Sequence, residues 1–435
     1  MKRALDFTIQ FHITDKCPNR CIHCYSERGY AEIDINKIRG IFDNVKKFEE
    51  KYQVLIPNVN VTGGAPLCRP DWSEIISLIR SYRKNITIMG IPEHVDLNNI
   101  VQMKRLGINA YQMSLDGMEK THDNFRGKGS FQKTLKAIRL LNKHNLKVLI
   151  MYTVSDINYK ELLPLIDFLE HEQVHVVFAF DFVVSKGNAQ ENGVSISNQR
   201  KWEILHTYYD KYKENTKGHS SVELVLKPSL FMPMVYQNMP KILLDEYSHV
   251  AGCGLGWNTI TVMPDGTVFP CRRLPISIGN ICRDSFEGIL LENEFMRKLR
   301  RYENFLQCNE CQQQLFCRGC PAINNGVYGD PFANCEPCAL YRANKQNTDR
   351  VETINHSNED EYKLIANTME NKVLRYFSTP AMDYFIALKL LKESEESRKL
   401  FYKDRLMWLS NNELWIPLYM VDYLTLTFIN STSFI

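Results

Sequence analysis

Three cysteines near the N-terminus lie close enough in sequence to share one metal centre. Cys17, Cys21 and Cys24 have the spacing CxxxCxxC and come directly after a strand-like segment at residues 7–13. Three thiolates on one loop can hold three corners of a cubane iron–sulfur cluster and leave its fourth iron without a protein ligand. An iron with an open position can bind a small molecule and reduce it. The spacing therefore indicates redox chemistry rather than a purely structural centre.

A second group of cysteines lies far downstream. Of the 13 cysteines in 435 residues, nine fall between Cys253 and Cys338, and none lies between Cys68 and Cys253. This clustering indicates metal centres in two regions of the chain. The CxxC pairs at 308–311 and 317–320 would also suit structural zinc, which is the main alternative. Cys68 stands alone, and we expect it to be a packed small hydrophobic side chain.

Charge and hydropathy exclude several classes of protein. Lys and Arg number 53 against 50 Asp and Glu, for a net charge of +3. That balance argues against a nucleic-acid binder and against a polybasic membrane binder. The chain has no apolar run of about 18 residues and no signal-peptide core at its start. We therefore expect a cytoplasmic protein with no nucleic-acid partner and no membrane partner.

Residues 7–217 alternate between short β-branched runs and segments of helical periodicity. The predicted strands are 7–13, 58–62, 86–90, 111–115, 147–154 and 174–183. The predicted helices are 36–51, 73–84, 97–106, 131–145, 159–171 and 197–217. Six β–α repeats imply an α/β fold with a parallel sheet, either a partial barrel or a doubly wound fold. In both, chemistry gathers where the strands end, so the loops at Cys17 and Gly63 would open on one edge.

Local signals add detail to this outline. Asp71 with Glu74 predicts a capping box, and Gly107 predicts a helix end. Residues 259–270 predict a β-hairpin with its turn at Asp265–Gly266. The polar stretch 346–360 indicates a linker, and a helix is predicted at 381–394 in an aromatic tail. We divide the chain into 1–245, 246–345 and 346–435, the last with no assigned role.

The motifs around both groups of cysteines resemble those of radical S-adenosylmethionine (SAM) enzymes. The resemblance includes the trio with His23, and the segments Gly63–Pro66, Ser114–Gly117 and Arg126–Phe131. The later cysteines resemble the SPASM extension of that superfamily. The matching pattern is Cys253-x12-Gly266-x4-Cys271, then Cys308-x2-Cys311-x5-Cys317-x2-Cys320, closed by Cys335 or Cys338. Together the motifs span residues 7 to 340.

The resemblance implies an architecture and a set of cofactors. The fold would be a partial (β/α)6 TIM-like barrel, then a small α+β cysteine-rich SPASM domain and a helical C-terminal extension. The cofactors would be SAM, a SAM-binding [4Fe–4S] cluster on Cys17, Cys21 and Cys24, and two auxiliary clusters. One auxiliary cluster would take Cys253, Cys271 and Cys320. The other would take Cys308, Cys311, Cys317 and one of Cys335 or Cys338, with Cys282 as a further candidate ligand.

The resemblance also implies contacts to SAM. Gly63 and Gly64 would let the backbone approach the cofactor closely. Ser114 would lie near the ribose, Arg126 would pair with the carboxylate, and Tyr25 would pack near the adenine. Ala65 stands where the family has a glutamate. The missing carboxylate would weaken charge pairing to the SAM ammonium group.

The activity implied is the reductive cleavage of SAM to a 5′-deoxyadenosyl radical that removes hydrogen from a peptide or protein. Flavodoxin or ferredoxin would supply the electron. Our first prediction is a ribosomal-peptide maturase that forms thioether or carbon–carbon cross-links. With 16 residues before Cys17, we expect no leader-binding domain ahead of the barrel, so leader recognition would fall to the tail or to a separate protein.

Two alternatives stay open beside the peptide maturase. The first is a sulfatase-maturing, formylglycine-forming enzyme, for which the resemblance implies an acidic base directly after Cys271. Arg272 and Arg273 occupy those positions and count against it. The second and more distant alternative is a non-enzymatic zinc-binding adaptor. No residue is assigned as the catalytic base.

Overall fold

The computed structural model describes most of the first 230 residues and parts of the chain beyond them. The described ranges are 3–4, 7–26, 29–52, 54–218, 220–227, 229–231, 253–256, 258–300, 304–305, 319–333, 408–410 and 413–415. The predicted linker at 346–360 and the predicted helix at 381–394 lie outside them. So do five of the predicted cluster ligands, namely Cys308, Cys311, Cys317, Cys335 and Cys338.

A ten-stranded sheet organises the described residues. Its parallel strands pair in chain order: β1 (Thr8–Thr14), β2 (Asn58–Gly63), β3 (Asn85–Met89), β4 (Ala110–Ser114), β5 (Lys147–Val154), β6 (Val176–Phe182) and β7 (Val222–Leu224). A doubly wound sheet would reverse its strand order part-way, and this one does not. The fold is therefore a partial barrel of β–α repeats, the one of the two expected folds that the family resemblance implied.

Helices cover the outside of this sheet. They are α1 (Ile35–Tyr52), α2 (Trp72–Ser81), α3 (Leu97–Arg105), α4 (Glu119–Arg126), α5 (Ser130–Lys143), α6 (Leu162–His171), α7 (Asn188–Glu191), α8 (Asn198–Asn215), α9 (Glu294–Arg300) and α10 (Pro321–Tyr328). Short 3₁₀ turns lie at Pro66–Cys68, Pro92–His94 and Tyr159–Glu161, and a π turn at Gly288–Glu292. In α1, Ile38, Ile41, Phe42, Val45 and Phe48 are buried at three- and four-residue spacing, which is the apolar stripe that joins a helix to a core.

The predicted hairpin forms and joins the barrel sheet. Strand β8 (Thr259–Val262) pairs in parallel with β1, with Thr259 opposite Thr8. Strand β9 (Thr267–Phe269) pairs antiparallel with β8, and β10 (Gly279–Asn280) pairs with β9. Gly266 has φ +85°, which suits glycine at the turn. The hairpin therefore extends the barrel edge beside the strand that carries the N-terminal cysteines.

Two short pairings lie apart from the sheet. Arg3–Ala4 pairs in parallel with Val54–Leu55, and Trp408–Ser410 pairs antiparallel with Glu413–Trp415 in the tail. Across the described ranges, no helix has both the length and the apolar character needed to cross a membrane.

Most predicted elements are confirmed, one local prediction is wrong and one helix was missed. Gly107 ends its helix with φ +68°, as expected. The capping box at Asp71 is wrong: its carboxylate makes no cap hydrogen bond and instead accepts from Arg69 at 2.8 and 3.1 Å. Helix α4 was missed because it is mainly polar, with only His122 and Phe125 buried.

Candidate active site

A cavity opens at the carboxyl edge of the parallel strands, where the sequence placed the chemistry. Its lining includes eight residues predicted as ligands or SAM contacts, namely Cys17, Cys21, Cys24, Tyr25, Gly63, Gly64, Ser114 and Arg126. The ninth contact predicted in this region, Ala65, is fully buried and is not among the lining residues. Residues that the sequence did not single out complete the wall, including Met89, Gln112, Met151 and Asp181.

The cysteine loop is held in place mainly through its backbone. Ile22 N–H donates to the Phe125 carbonyl at 3.1 Å, which ties the loop to α4. Asn188, at the start of α7, donates its backbone N–H to the Cys24 carbonyl at 2.9 Å and its side-chain amide to the Cys21 carbonyl at 3.0 Å. All three bonds use backbone groups of the loop rather than its thiols.

Gly63 and Gly64 allow two loops to lie against each other. Gly64 N–H donates to the Thr14 carbonyl at 2.9 Å. A Cβ on Gly63, which has φ +134°, would lie 1.9 Å from the Thr14 oxygen, and one on Gly64 would lie 2.4 Å from the Lys16 oxygen. Any side chain here would therefore push the cysteine loop away from β2. The sequence suggested the glycines only for close approach to a cofactor, and this packing role was missed.

An ion pair lies directly behind Cys21. Arg126 donates through Nε to Asp116 Oδ2 at 2.5 Å, through Nη2 to His23 Nε2 at 3.1 Å and through Nη1 to Cys21 Sγ at 3.7 Å. Asp116 Oδ1 accepts from the Thr153 N–H at 2.7 Å. Each nitrogen of the guanidinium thus has a protein partner. Arg126 supports the cysteine loop in this arrangement, and its contact with the SAM carboxylate stays a prediction.

The protonation states in this network follow from burial and charge. Burial lowers the pKa of His23 to about 4, against the opposing charge of Asp116, so the ring is neutral near pH 7 and can accept from Arg126. Burial alone would raise the pKa of Asp116, but the charge of Arg126, together with smaller contributions from His23, His122 and the Thr153 N–H, lowers it. Asp116 is therefore ionised although it is fully buried.

The hairpin forms another part of the cavity wall. Leu274 N–H donates to the Cys271 carbonyl at 2.9 Å, which closes a tight turn with Arg272 and Arg273 at its centre. Arg273 pairs with Asp181 at 2.5 Å and donates to the Phe182 carbonyl at 2.6 Å. Asp181 also binds Lys227. These contacts join the turn after β9 to the end of β6.

Four downstream cysteines lie within the described residues. Cys320 is buried, Cys253 and Cys271 are partly buried, and Cys282 is exposed. Arg273 interacts electrostatically with both Cys271 and Cys320, which places these two predicted ligands near the same cation. Cys282 lies on the hairpin side, where a Cβ added to Gly266 would meet its sulfur at 2.6 Å.

The three thiols of the N-terminal loop line one cavity and can serve as ligands of a cluster. In the part of the chain that the structure describes, no three Cys, His, Asp or Glu side chains converge as ligands of one metal ion. A cubane cluster binds each thiolate through a different iron, so its ligands lie farther apart than those of tetrahedral zinc.

Comparison with known proteins identifies the two regions. Residues 11–169 match the model of the radical SAM superfamily, and residues 253–321 match SPASM, an iron–sulfur cluster-binding domain. The chain is a radical SAM enzyme with a SPASM domain. Its cofactors are accordingly SAM and iron–sulfur clusters, and the cysteines that line the cavity lie within the matched regions.

Individual relatives act on different substrates. The chain is 29% identical to the AdoMet-dependent heme synthase of Methanosarcina barkeri over 78% of this chain and 97% of that protein. It is 25% identical to AlbA of Bacillus subtilis, a protein of subtilosin biosynthesis, over 73% of this chain and 68% of AlbA. The structure of SuiB from Streptococcus suis bound to its precursor peptide matches with a TM-score of 0.59 and 14% identity, covering 76% of this chain and 75% of SuiB. This last match shows the shared fold.

Proposed function

We propose that this radical SAM enzyme removes hydrogen from a peptide and so matures a ribosomally synthesised peptide, forming a thioether or carbon–carbon cross-link. The radical chemistry rests on one observation: a single cavity at the carboxyl edge of the barrel is lined by Cys17, Cys21, Cys24 and the Gly63–Gly64 pair. We further propose that the reaction takes place in the cytoplasm, with flavodoxin or ferredoxin as the electron donor.

The residues of the cavity would have different roles. Cys17, Cys21 and Cys24 would hold the SAM-binding cluster, and together the cluster and SAM supply a 5′-deoxyadenosyl radical. Tyr25, Gly63, Gly64, Ser114 and Arg126 line the same cavity and would contact SAM, whereas the buried methyl group of Ala65 offers no charge to it. Met89, Met113 and Met151 add apolar side chains to a lining that also contains charged residues.

The choice of a peptide rests on the relatives. AlbA serves bacteriocin biosynthesis, and the SuiB structure holds a precursor peptide. Sulfatase-type maturation is disfavoured because the residue after Cys271 is Arg272, which lines the cavity as a cation rather than a base.

Co-expression tests the proposal. The chain is produced anaerobically with each short open reading frame that flanks its gene, and each peptide is weighed by mass spectrometry. We expect one peptide to lose two hydrogens per cross-link, and no loss with Cys24→Ala. Formation of 5′-deoxyadenosine with SAM and dithionite, without a mass change in any flanking peptide, would count against a peptide substrate while leaving the radical chemistry intact.

A tetrapyrrole is the second candidate substrate. The heme synthase relative is matched over nearly its whole length at 29% identity. Anaerobic incubation of the reduced enzyme with SAM and an iron porphyrin that carries carboxylate side chains tests this alternative. A change in the porphyrin mass, dependent on Cys24, would favour it over the peptide.

A further inference from the structure

Three arginines line the cavity, and they differ in their partners. Arg126 pairs with Asp116, and Arg273 pairs with Asp181. Arg272 is next to Arg273 in the tight turn, yet no carboxylate of the described residues forms an ion pair with it. Its contacts are Met89 Sδ, 3.6 Å from Nη1, and the Tyr25 ring, whose centroid is 5.7 Å from Cζ.

Two carboxylates line the same cavity, and neither forms an ion pair with Arg272. Asp15 accepts backbone N–H bonds from Gly29 and Tyr30. Asp181 is shared by Arg273 and Lys227. Burial, helped by the charge of Arg272, lowers the pKa of His12 to about 3, so this neighbour is neutral near pH 7. Among the described residues, Arg272 therefore contacts a sulfur and an aromatic face, and an uncharged imidazole lies nearby.

Among the described residues, no carboxylate offsets the desolvation of this partly buried cation. The face of an aromatic ring compensates for only part of that cost. A planar guanidinium presents paired donors that match a carboxylate in two parallel hydrogen bonds. Such a group in a substrate cavity is suited to a ligand that brings its own negative charge.

We propose that Arg272 binds a carboxylate of the substrate and so positions the carbon from which hydrogen is removed. The proposal rests on the radical function proposed above and specifies the substrate as carboxylate-bearing. In a peptide the group would be a C-terminus or an acidic side chain, and in a porphyrin a carboxylate side chain. The carboxylate of SAM is the competing source of the same chemistry, and the test separates the two.

The test measures equilibrium binding to cluster-loaded, unreduced enzyme, so that turnover plays no part. The probes are the flanking peptide that binds most tightly and an iron porphyrin with free carboxylates, each also prepared as its methyl ester. Loss of a charged hydrogen-bonding partner should weaken binding by about 10- to 100-fold. We expect Arg272→Met to weaken binding of the free acid by that factor and Arg272→Lys to weaken it less. Binding of the ester to the parent enzyme should be weakened as much as binding of the acid to Arg272→Met.

Controls decide between the outcomes. Arg39→Met removes an exposed arginine of α1 and should leave every affinity unchanged. The SAM dissociation constant should be the same in Arg272→Met and the parent. If the only change in Arg272→Met is a higher dissociation constant for SAM, Arg272 binds the cofactor and the proposal is overturned. Equal binding of acid and ester, or binding of neither, would overturn it as well.

Failure of the peptide function can be told apart from failure of this inference. If no flanking peptide changes mass but the porphyrin acid binds through Arg272, the carboxylate site stands and the peptide does not. If a peptide is modified but esterification and Arg272→Met have no effect on its binding, the peptide function stands and the carboxylate site does not.

Discussion

Replacing Asp116 with asparagine should destabilise the protein and loosen the cysteine loop. Asp116 accepts from two donors, Arg126 Nε and Thr153 N–H, through different oxygens. Asparagine has one oxygen and one NH₂ group, so in either orientation one of these donors faces another donor. Arg126, whose side chain is 18% exposed, would also lose the counter-ion beside Cys21.

The size of the effect follows from burial. Asp116 is fully buried, and removing one partner of a buried ion pair costs about 3–5 kcal/mol. Urea unfolding of the cluster-free protein, under anaerobic reducing conditions, measures the loss. After reconstitution, Asp116→Asn should also retain less iron than the parent, because Arg126 and His23 support the loop that carries Cys21. Asp210→Asn, at an exposed pair with Lys213, is the matched control and should change neither readout.

A double variant tests the cause. In Asp116→Asn with Arg126→Met the unpaired cation is gone, so the double variant should lose at least ~1 kcal/mol less than the sum of the single variants. Strict additivity, or a urea midpoint for Asp116→Asn equal to that of the parent, would show that this pair does not stabilise the site.

Three further predictions concern other parts of the fold. Gly187 and Gly193 have similar φ values of +54° and +61°, but only a Cβ on Gly187 would meet the Cys24 oxygen, at 2.7 Å. After the same reconstitution, the Gly187→Ala variant should therefore contain less iron than the Gly193→Ala variant. Burial alone would raise the pKa of Asp181, but the charges of Arg273 and Lys227 lower it below its usual range. The Asp181 carboxylate therefore stabilises the fold above about pH 4, and this stabilisation is lost at lower pH. The stability gap between parent and Asp181→Asn should thus be widest near pH 7 and narrow below pH 4; a gap constant from pH 3 to 7 would contradict this. Lys84→Met should cost about 3–5 kcal/mol in urea unfolding, because it leaves Glu49 buried without its cation, whereas Lys46→Met at an exposed pair should have no effect.

Sequence patterns predicted the barrel well because its elements are local. Alternation in β5 and the apolar stripe of α1 can be recognised within single windows of the chain. Helix α4 escaped because its buried residues, His122 and Phe125, are too few to show a period. The capping box at Asp71 failed because a neighbouring arginine, Arg69, competes for the same carboxylate.

In the candidate site too, the local features could be predicted from the sequence and the long-range contacts could not. Cys17, Cys21 and Cys24 could be predicted because three ligands within eight residues need no long-range information. The sequence likewise placed Gly63 and Ser114 at strand ends, and both line the cavity. The support of the loop by Arg126, Asp116 and Asn188 could not be predicted, since each contact joins residues more than 100 positions apart or depends on burial.

The sequence by itself determined the repeating β–α units, the cysteine spacing and the kind of metal centre, because propensity, periodicity and ligand spacing all act between near neighbours. Only the tertiary structure decided that β8 pairs with β1, some 250 residues away, and so brings the turn with Arg272 into the wall of the cavity that the N-terminal cysteines line. Three arginines that look alike in the sequence thereby acquire different roles. Arg126 forms an ion pair with Asp116 and Arg273 with Asp181, whereas Arg272 faces the cavity without a carboxylate partner among the described residues.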